Sequence, residues 1–498
     1  MSLTRSELLA GLRCPKMLWW MVHEHDDAVT DDVVRSMAID RHRRVIARAR
    51  DHVPGGVAID RNQDRAERVA ATRAALDAGA RVIYDAAFEA DGIFVSIDIL
   101  QREAGGFVIA DVATGLSAKE LYVTHAAVQR HVARLAGIDV VRVDVLHIDR
   151  NVRYADLPKL FTRVDVTARL SSIAEGRAAG LATMLERSLP AFPTGPQCRE
   201  PRNCPFLDRC FASDVHSVET LYRVTPAQLA ELRALGVRTV DEVPERFAMD
   251  GPARRQVEAV RTGRLVVEGD LGGVLRALDP PLAFLDFETL NPAVPAWPGH
   301  GPYEQVAVQL SCHRSDGAHD EWLAEAGTDP REPFARALLA ACDVASTIVA
   351  YGADFERKCV RDLARALPAF AEPLDAIADR IVDLCAIVRN HVYHPEFRGS
   401  FSIKRVLPAL VPELGYGDLA IRDGWTAASA LETLLLDGAT LDEATRRTLR
   451  ERLLRYCERD TLAMVRLHER LTSVASSASP PAGADARSPD PNLQRRPR

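Results

Sequence analysis

Apolar residues recur along the chain with two different periods, and the switch between them predicts the order of helices and strands. The pattern is helical up to about residue 80. Strand-like runs follow at 81–87, 93–100, 107–112 and 140–148, with a helix at about 119–135 before the last run. Because these elements can form a single mixed sheet, we predict a first α/β unit over residues 1–215.

The chain changes character between residues 216 and 275, where it is helical and charged. Residues 232–243 have the helix, glycine-containing turn and helix character of a helix-hairpin-helix module, a unit that often contacts the nucleic-acid backbone. A small helical spacer between two larger units explains the same pattern. The sequence leaves both interpretations of this linker open.

A second α/β unit is predicted over residues 276–472. Its first strand is entered through the proline pair at 280–281. Three strands and a long final helix are expected in it, at 280–289, 303–312, 347–351 and about 442–471. From residue 473 the chain consists largely of Ser, Ala, Pro and Arg, so we predict a disordered tail over 473–498.

Length and composition limit the class of protein. A chain of 498 residues with 47% apolar residues is too long for one core and should form two or three domains. The apolar run at 17–22 is too short to cross a bilayer and follows no signal-peptide pattern, so we expect no membrane partner and a cytoplasmic location. The net charge of -7 argues against a protein that coats DNA, but it is compatible with a local basic groove.

Carboxylates of the second α/β unit fall at positions that suit a metal site. Asp286 and Glu288 share one face of the first strand, where their mutual repulsion would be offset by hard divalent cations. Tyr456 and Asp460 share one face of the last helix, and Glu356 follows a strand at the start of another helix. Taken singly, each motif is also explained by a solvated surface position or by a helix-end carboxylate.

In this order the motifs resemble the ribonuclease-H-like 3′→5′ exonucleases of the DEDD superfamily, in the variant whose third motif is Tyr-x-x-x-Asp. The resemblance implies two Mg²⁺ or Mn²⁺ ions that stabilise the attacking and leaving oxygens of a phosphodiester. It implies that Asp286 bridges the ions and that Glu288 and Asp460 complete the first ion's ligands. Glu356 would serve the second ion, directly or through water, and Tyr456 would orient the attacking water.

The second motif departs from that family pattern. Glu356 stands where many relatives have Asp, and Gly352 stands where Asn is common. The neighbouring Asp354 is therefore an alternative ligand, or simply the N-cap of the helix.

The segment at 393–404 precedes a predicted helix and is rich in polar side chains. Arg398 and Lys404, with His394, Ser400 and Ser402, suit phosphate contacts at a nucleic-acid-binding loop. An ordinary solvated loop is the alternative interpretation.

Four of the nine cysteines form a candidate metal-binding group. Cys14 stands alone near the amino terminus, and Cys198, Cys204 and Cys210 are clustered, which gives four thiols for a tetrahedral zinc ion or an iron–sulfur cube. Spacing does not separate these two metals. The other five cysteines are scattered through apolar or helical segments and are expected to be reduced core residues.

This cysteine layout resembles the RecB-like nucleases of the PD-(D/E)xK superfamily that carry an iron–sulfur staple, including CRISPR-associated and helicase-associated exonucleases. The resemblance implies a [4Fe-4S] cluster, with Zn²⁺ as the alternative, that closes the first unit like a clasp. It also implies that Asp98 and Asp111 are the acidic residues of that nuclease site, that Gln129 is the trailing Gln and that His42 is the amino-terminal His.

The third position of that motif is changed, because Ala113 stands where the family has Lys. Lys119 could replace it from a neighbouring position; otherwise the first unit is a weakened or inactive site that still binds nucleic acid. Over residues 3–471 the chain resembles bacterial fusions of a RecB-like domain with a ribonuclease-H-like exonuclease domain. We expect a metal-dependent exonuclease on DNA or RNA ends, with a non-catalytic nucleic-acid-binding or scaffold protein as the alternative and the oligomeric state open.

Overall fold

The computed structural model describes residues 2–24, 29–200, 203–210 and 216–478. Its amino-terminal part is built on one mixed sheet, as the apolar periodicity predicted. The elements of this part are β1 Leu3–Thr4, α1 Arg5–Arg13, α2 Pro15–His23, α3 Val29–His52, β2 Val57–Ala58, α4 Arg65–Asp77, β3 Val82–Ala90, β4 Ile93–Glu103, β5 Gly106–Ala113, α5 Glu120–Leu135, β6 Val140–Ile148, β7 Phe161–Asp165, α6 Ala178–Leu185 and α7 Leu207–Cys210.

Seven strands of the described residues form the first sheet, in the order β2-β3-β4-β5-β6-β7, with β1 added beside β4. β5 and β6 run parallel, whereas β3, β4 and β5 form an antiparallel meander. The helix α5 covers one face through buried residues that include Val128 and Val132, which are four positions apart and so lie on one side of the helix. The four predicted strands of this unit are present, each within three residues of its expected ends.

The connecting segment is a small helical unit with a core of its own. Its elements are α8 Pro226–Ala234, α9 Gly251–Thr262, β8 Val266–Val267 and α10 Leu271–Arg276. After α8 the chain turns at Gly236, which has a left-handed φ of 80°, but only a single 3-10 turn, Val240–Glu242, follows. The prediction of a second helix in the helix-hairpin-helix module is therefore wrong. Thr239 instead pairs with Ser217 in a short β-bridge, and the chain does not continue as an α-helix there.

The carboxyl-terminal part contains a second mixed sheet with β9 at its centre. Its elements are β9 Leu282–Leu290, β10 Val306–Arg314, β11 His319–Leu323, α11 Arg331–Ala341, β12 Thr347–Ala350, α12 Asp354–Ala366, α13 Ala371–Arg380, β13 Ile381–Asp383, α14 Leu384–His391, β14 Val392–Tyr393, α15 Ile403–Leu410, α16 Gly424–Leu436 and α17 Glu443–Ala478. The strand order is β11-β10-β9-β12-β13, with β10 antiparallel and β12 parallel to β9. The fold class is thus α/β, as predicted.

The last helix is longer than the sequence indicated. α17 continues to Ala478 and so includes the first six residues of the predicted disordered tail, because Leu471 and Ala475 pack into the apolar core beneath it. The tail prediction is therefore wrong for 473–478, and its remaining part, 479–498, lies outside the described residues. None of the helices in the described part of the chain combines the length and apolar content needed to cross a bilayer.

Ion pairs connect α3 of the amino-terminal part to α16 and the residue after it in the carboxyl-terminal part. Glu432 of α16 is 3% exposed and accepts hydrogen bonds from Arg41 and Arg44 of α3. Arg44 also pairs with Asp437 at 2.7 Å. Two arginines of the basic run around His42 are therefore engaged by the carboxyl-terminal part of the chain.

Candidate metal centre and a second carboxylate cluster

Two elements that are far apart in sequence bring three carboxylates together. β9 places Asp286 and Glu288 on one face, while the alternate residues Leu285 and Phe287 are buried on the other. α17 packs against this strand and presents Asp460. One carboxylate oxygen from each of the three acids lies within 4.8 Å of the other two, so the group could hold a divalent metal ion.

The carboxylates lie in an open cleft of about 630 Å³. Tyr456 stands one helical turn before Asp460 and faces the same cleft, as the i, i+4 spacing predicted. The linker, the end of β12, α14, and the loop before α15 with the start of that helix also line the cleft. Their lining residues include Tyr222, Tyr351, Arg389, Ser400, Ser402 and Lys404.

Burial dominates the protonation of this group. It raises the pKa of Asp286 well above its usual range, and the neighbouring charges of Asp460, Glu288 and Glu356 raise it further. Burial and the charge of Asp460 raise the pKa of Glu288 to about 8. Burial also raises the pKa of Asp460, although hydrogen bonding from Tyr416 and the charge of Lys404 oppose the shift. Without cations, therefore, Asp286 and Glu288 hold their protons to a higher pH than free carboxyls do.

Glu356 lies in the first turn of α12 and is buried, but it does not line the cleft. Its Oε2 atom is buried without a hydrogen-bond partner, and burial raises its pKa to about 7. Its charge contributes to the raised pKa of both Asp286 and Glu288. The alternative Asp354 is fully exposed and pairs with Arg357 at 2.9 Å, and Ala353 is the N-cap. Glu356 is thus the acid of this turn that acts on the cluster.

Only one of the two predicted phosphate-binding cations reaches the cleft. Lys404 donates a hydrogen bond to the Tyr456 hydroxyl at 3.0 Å and lies 5.2 Å from the centre of that ring. Arg398 is exposed, pairs with Glu396 at 2.8 Å and does not line the cleft. Gly399 next to it has a φ of 77°, and a Cβ there would lie 1.9 Å from the Thr220 carbonyl, so the loop packs tightly on the linker.

Three residues near the carboxylates Asp286 and Asp460, or lining the same cleft, were not predicted from the sequence. The Tyr416 hydroxyl donates a 2.5 Å hydrogen bond to Asp460 Oδ1, and Cys457 Sγ lies 3.7 Å from Asp286 Oδ2. Tyr222 comes from the linker and meets Phe401 edge-to-face at 5.0 Å between ring centres. Cys457 could have been found, because it is next to Tyr456 on an amphipathic helix. Tyr416 and Tyr222 lie in irregular segments whose position no periodicity encodes.

A second group of buried acids lies on the amino-terminal sheet. Asp98 on β4 and Asp111 on β5 are both buried, and Gln129 of α5 donates a 2.8 Å hydrogen bond to Asp111. His42 Nε2 lies 3.8 Å from Asp98 Oδ1. The structure thus brings together four of the five residues predicted for this site. The fifth, Lys119, is exposed at the N-cap of α5 and, within the described residues, forms no ion pair with either acid.

Arginines lie beside these amino-terminal acids. Arg5 approaches Asp111 at 3.3 Å, and Arg61 approaches Asp98 at 3.6 Å. Arg61 and Arg50 both pair with Asp85, an unpredicted acid that is 1% exposed and has a φ of 58° inside β3. A non-glycine residue in this conformation is strained and is often found at functional sites. Burial raises the pKa of Asp98, while the charge of His42 opposes the shift.

The four predicted metal-binding cysteines come from two segments that pack together. Cys14 separates α1 from α2, whereas Cys198 ends the 3-10 turn Pro196–Cys198, Cys210 ends α7, and Cys204 lies shortly before α7. Burial raises the pKa of the Cys204 and Cys210 thiols, and the charge of Cys14 adds to both shifts. Trp20 contacts Phe206 at 5.4 Å between ring centres, which holds the two segments together.

Comparisons with known proteins found a match to a family profile and a similarity to a solved structure. Residues 283–402 match the profile of a family described as Domain of unknown function (DUF2779). This segment contains Asp286, Glu288 and Glu356 but ends before Tyr456 and Asp460. A comparison with curated proteins found no significant match. The family B DNA polymerase from the hyperthermophilic archaeon Pyrobaculum calidifontis aligns over 40% of this chain and 27% of its own, with 17% identity and a TM-score of 0.26.

Proposed function

We propose that the chain is a metal-dependent nuclease that removes nucleotides from the 3′ ends of DNA or RNA at the cleft beside β9. The observation that carries this proposal is the convergence of Asp286, Glu288 and Asp460, whose ligand oxygens lie within 4.8 Å of one another. Within the described residues, no arginine or lysine forms an ion pair with these acids or with Glu356. The unpartnered oxygen of Glu356 adds a fourth uncompensated acid next to them.

The donor set suits Mg²⁺ or Mn²⁺, which prefer carboxylate oxygens and retain waters. Asp286, Glu288 and Asp460 would hold such ions, with Glu356 as a further ligand, and the ions would supply charge stabilisation to the attacking and leaving oxygens of the phosphodiester. Tyr456 would orient the attacking water, because burial and the surrounding acids raise the pKa of its phenol and keep it protonated as a donor. Lys404, Ser400 and Ser402 line the cleft where a phosphate would contact them.

The amino-terminal part would bind nucleic acid without cleaving it. Its acids are already neutralised by Arg5, Arg50 and Arg61, and Ala113 removes the lysine that the resemblance implies. Ala113 at this position is the observation that favours the alternative, a binding or scaffold protein, for this half of the chain. The four cysteines would hold an iron–sulfur cluster or zinc that clasps α1 and α2 to the segment at 196–210.

The test is a nuclease assay with 5′-labelled and 3′-labelled single-stranded and double-stranded DNA and RNA in the presence of Mn²⁺. We expect stepwise shortening from the 3′ end, and a loss of at least about 1000-fold in rate for Asp286→Asn or Asp460→Asn. Glu451→Gln changes an exposed acid on the same helix as Asp460 and should leave the rate unchanged.

Asp111→Asn serves as a second comparison and should also retain activity. Full activity in the Asp286→Asn protein, or a loss that occurs only in Asp111→Asn, would reverse the assignment of the two sites. Binding without turnover across the whole substrate panel would favour the scaffold alternative. Visible absorbance of freshly purified protein distinguishes an iron–sulfur cluster from zinc at the cysteines.

A further inference from the structure

A second group of metal-binding side chains lies on the carboxyl-terminal sheet, outside the cleft described above. His313 at the end of β10 and His319 at the start of β11 face each other across the hairpin, with ring centres 4.3 Å apart. Glu458 of α17 completes the group, and one ligand atom from each residue lies within 4.8 Å of the other two. All three side chains are half-buried, so an ion could enter from solvent.

Hydroxyl groups hold both imidazole rings from behind. Nδ1 of His313 lies 2.8 Å from Thr461 Oγ1, and Nε2 of His319 lies 2.9 Å from Ser311 Oγ. The two hydroxyls lie 2.8 Å from each other, and Thr461 is 3.0 Å from the Glu458 carbonyl oxygen. A metal-binding histidine usually donates its other ring N–H to such a partner, which fixes the tautomer and the orientation of the ring.

This hydrogen-bond network has one consistent assignment of protons. Each imidazole donates to its hydroxyl, Ser311 donates to Thr461, and Thr461 donates to the Glu458 carbonyl. Every hydroxyl proton is then used once. Nε2 of His313 and Nδ1 of His319 are left as lone pairs, which is the form that ligates a metal. Two facing imidazoles also repel each other when protonated: burial and then the charge of His319 lower the pKa of His313.

We propose that His313, His319 and Glu458 bind one divalent transition-metal ion of the zinc class, at a site separate from the carboxylate cleft. Two imidazoles and one carboxylate favour Zn²⁺, Co²⁺ or Ni²⁺, whereas Mg²⁺ prefers oxygen ligands alone. Three protein ligands leave a fourth position for water. The site goes beyond the proposed nuclease function and does not depend on it.

The position of this site indicates what the ion would do. It would link the β10–β11 hairpin to α17, the helix that carries Tyr456 and Asp460. Glu458 precedes Asp460 by two residues and so points from a different side of the helix. Ser311, behind His319, is the cross-strand partner of Asp286. An ion here would therefore stabilise the relative position of the strand and the helix that carry the carboxylates.

The test is zinc stoichiometry and affinity of the full chain, measured by calorimetry after treatment with chelator. The four cysteines can also bind zinc, so the informative quantity is the difference between variants. We expect His313→Ala combined with His319→Ala to bind one zinc ion fewer per chain than the unmodified protein. The two histidine substitutions should also remove one zinc ion in the Asp286→Asn, Asp460→Asn background, where the carboxylate cleft no longer contributes to the count. His468→Gln, which removes another imidazole of α17, is the matched control and should not change the count.

Milder variants guard against loss of folding in the double alanine protein. Thr461→Val keeps the shape of the side chain and removes the hydroxyl behind His313, so we expect about 10-fold weaker zinc binding. Glu458→Gln should weaken it by at least as much. Unchanged stoichiometry in the double alanine variant, with unchanged zinc affinity in Thr461→Val and Glu458→Gln, would overturn the site. Because zinc binding is the readout, an inactive nuclease would leave this result intact.

Discussion

Two clusters of acidic side chains lie on the two sheets of this protein, and they differ in what neutralises them. On the amino-terminal sheet, arginines reach the acids directly, as Arg61 does between Asp85 and Asp98. On the carboxyl-terminal sheet, Asp286, Glu288 and Asp460 converge. The cation near them is Lys404, which donates a hydrogen bond to the Tyr456 hydroxyl. The acids of the first cluster have arginines beside them in the folded protein, although burial still raises the pKa of Asp98, whereas the second cluster requires protons or cations from solvent.

The difference separates a structural use of carboxylates from a proposed catalytic one. Removing water from a carboxylate is costly, and a guanidinium fixed beside it offsets that cost permanently. Such a group cannot also accept metal ions without displacing the arginine. Acidity alone therefore does not identify a metal site, and the missing counter-charge is the more informative property.

The largest effect should come from adding Mn²⁺ to chelator-treated protein. An ion at 100 times its dissociation constant stabilises the folded state by about 2.7 kcal/mol, which raises the midpoint of thermal unfolding. We expect this shift in the unmodified protein and in Asp98→Asn combined with Asp111→Asn. It should disappear in Asp286→Asn combined with Asp460→Asn. A shift that survives in the second pair and is lost in the first would invert the comparison between the clusters.

A second effect should appear when the built-in cation of the amino-terminal cluster is removed. Arg61→Gln removes the guanidinium from Asp98 and from one oxygen of Asp85. Because the Arg61 side chain is itself 32% exposed, we expect a loss of about 2 kcal/mol, which is less than for breaking a fully buried pair. Urea denaturation measures the loss. Arg48→Gln, which breaks an exposed pair with Asp51, should cost less than about 1 kcal/mol.

The Arg61→Gln variant should make the amino-terminal cluster resemble the carboxyl-terminal one, because it removes a cation that the fold supplies. Asp98→Asn in the Arg61→Gln background should recover part of the stability, because Asp98 is then uncharged while Asp85 keeps its pair with Arg50. Mn²⁺ should also stabilise Arg61→Gln more than it stabilises the unmodified protein. No loss of stability in Arg61→Gln would mean that the guanidinium does not neutralise these acids.

The pH dependence of the metal-free protein should report the uncompensated cluster. The pKa of Glu288 is about 8 and that of Glu356 about 7 in the folded state, above the value of about 4.3 for an unfolded Glu. The folded state therefore binds these protons more tightly than the unfolded state. The resulting stability is fully present below about pH 4 and is lost as the pH rises through 7 and 8.

Glu288→Gln should remove the part of this loss of stability at high pH that comes from Glu288. We expect the variant to be more stable than the unmodified protein by at least about 1 kcal/mol at pH 8.5, and to show no such gain at pH 4. Chemical denaturation at both pH values, without divalent ions, measures the difference. Glu451→Gln, an exposed acid, provides the control. Equal gains at both pH values would indicate a packing effect and not relief of a buried charge.

Periodicity predicted the parts of the fold and site that depend on regular elements. The strand period placed Asp286 and Glu288 on one face, and the helix period placed Tyr456 and Asp460 together. Arg5 and Arg61 were missed because long side chains reach their partners from helix ends and loops, where spacing carries no directional information. Asp85 was missed because its positive φ interrupts the alternation of β3. The exposure of Lys119 likewise depends on where α5 begins, which sequence patterns locate only approximately.

The smallest expected effect concerns a hydrogen bond that distinguishes the two clusters in detail. Asp460 accepts a 2.5 Å hydrogen bond from Tyr416, a neutral donor that lowers the pKa of this carboxyl but supplies no charge. Tyr416→Phe keeps the ring and removes the donor, so Asp460 should be oriented less firmly and its pKa should rise. We expect about a 3-fold to 10-fold lower nuclease rate at neutral pH, from a loss of about 1 kcal/mol, that recovers partly at higher pH. Tyr393→Phe, whose hydroxyl accepts the Gly399 N–H away from the acids, is the control. A pH–rate profile identical to that of the unmodified protein would show that the phenol does not set the protonation of Asp460.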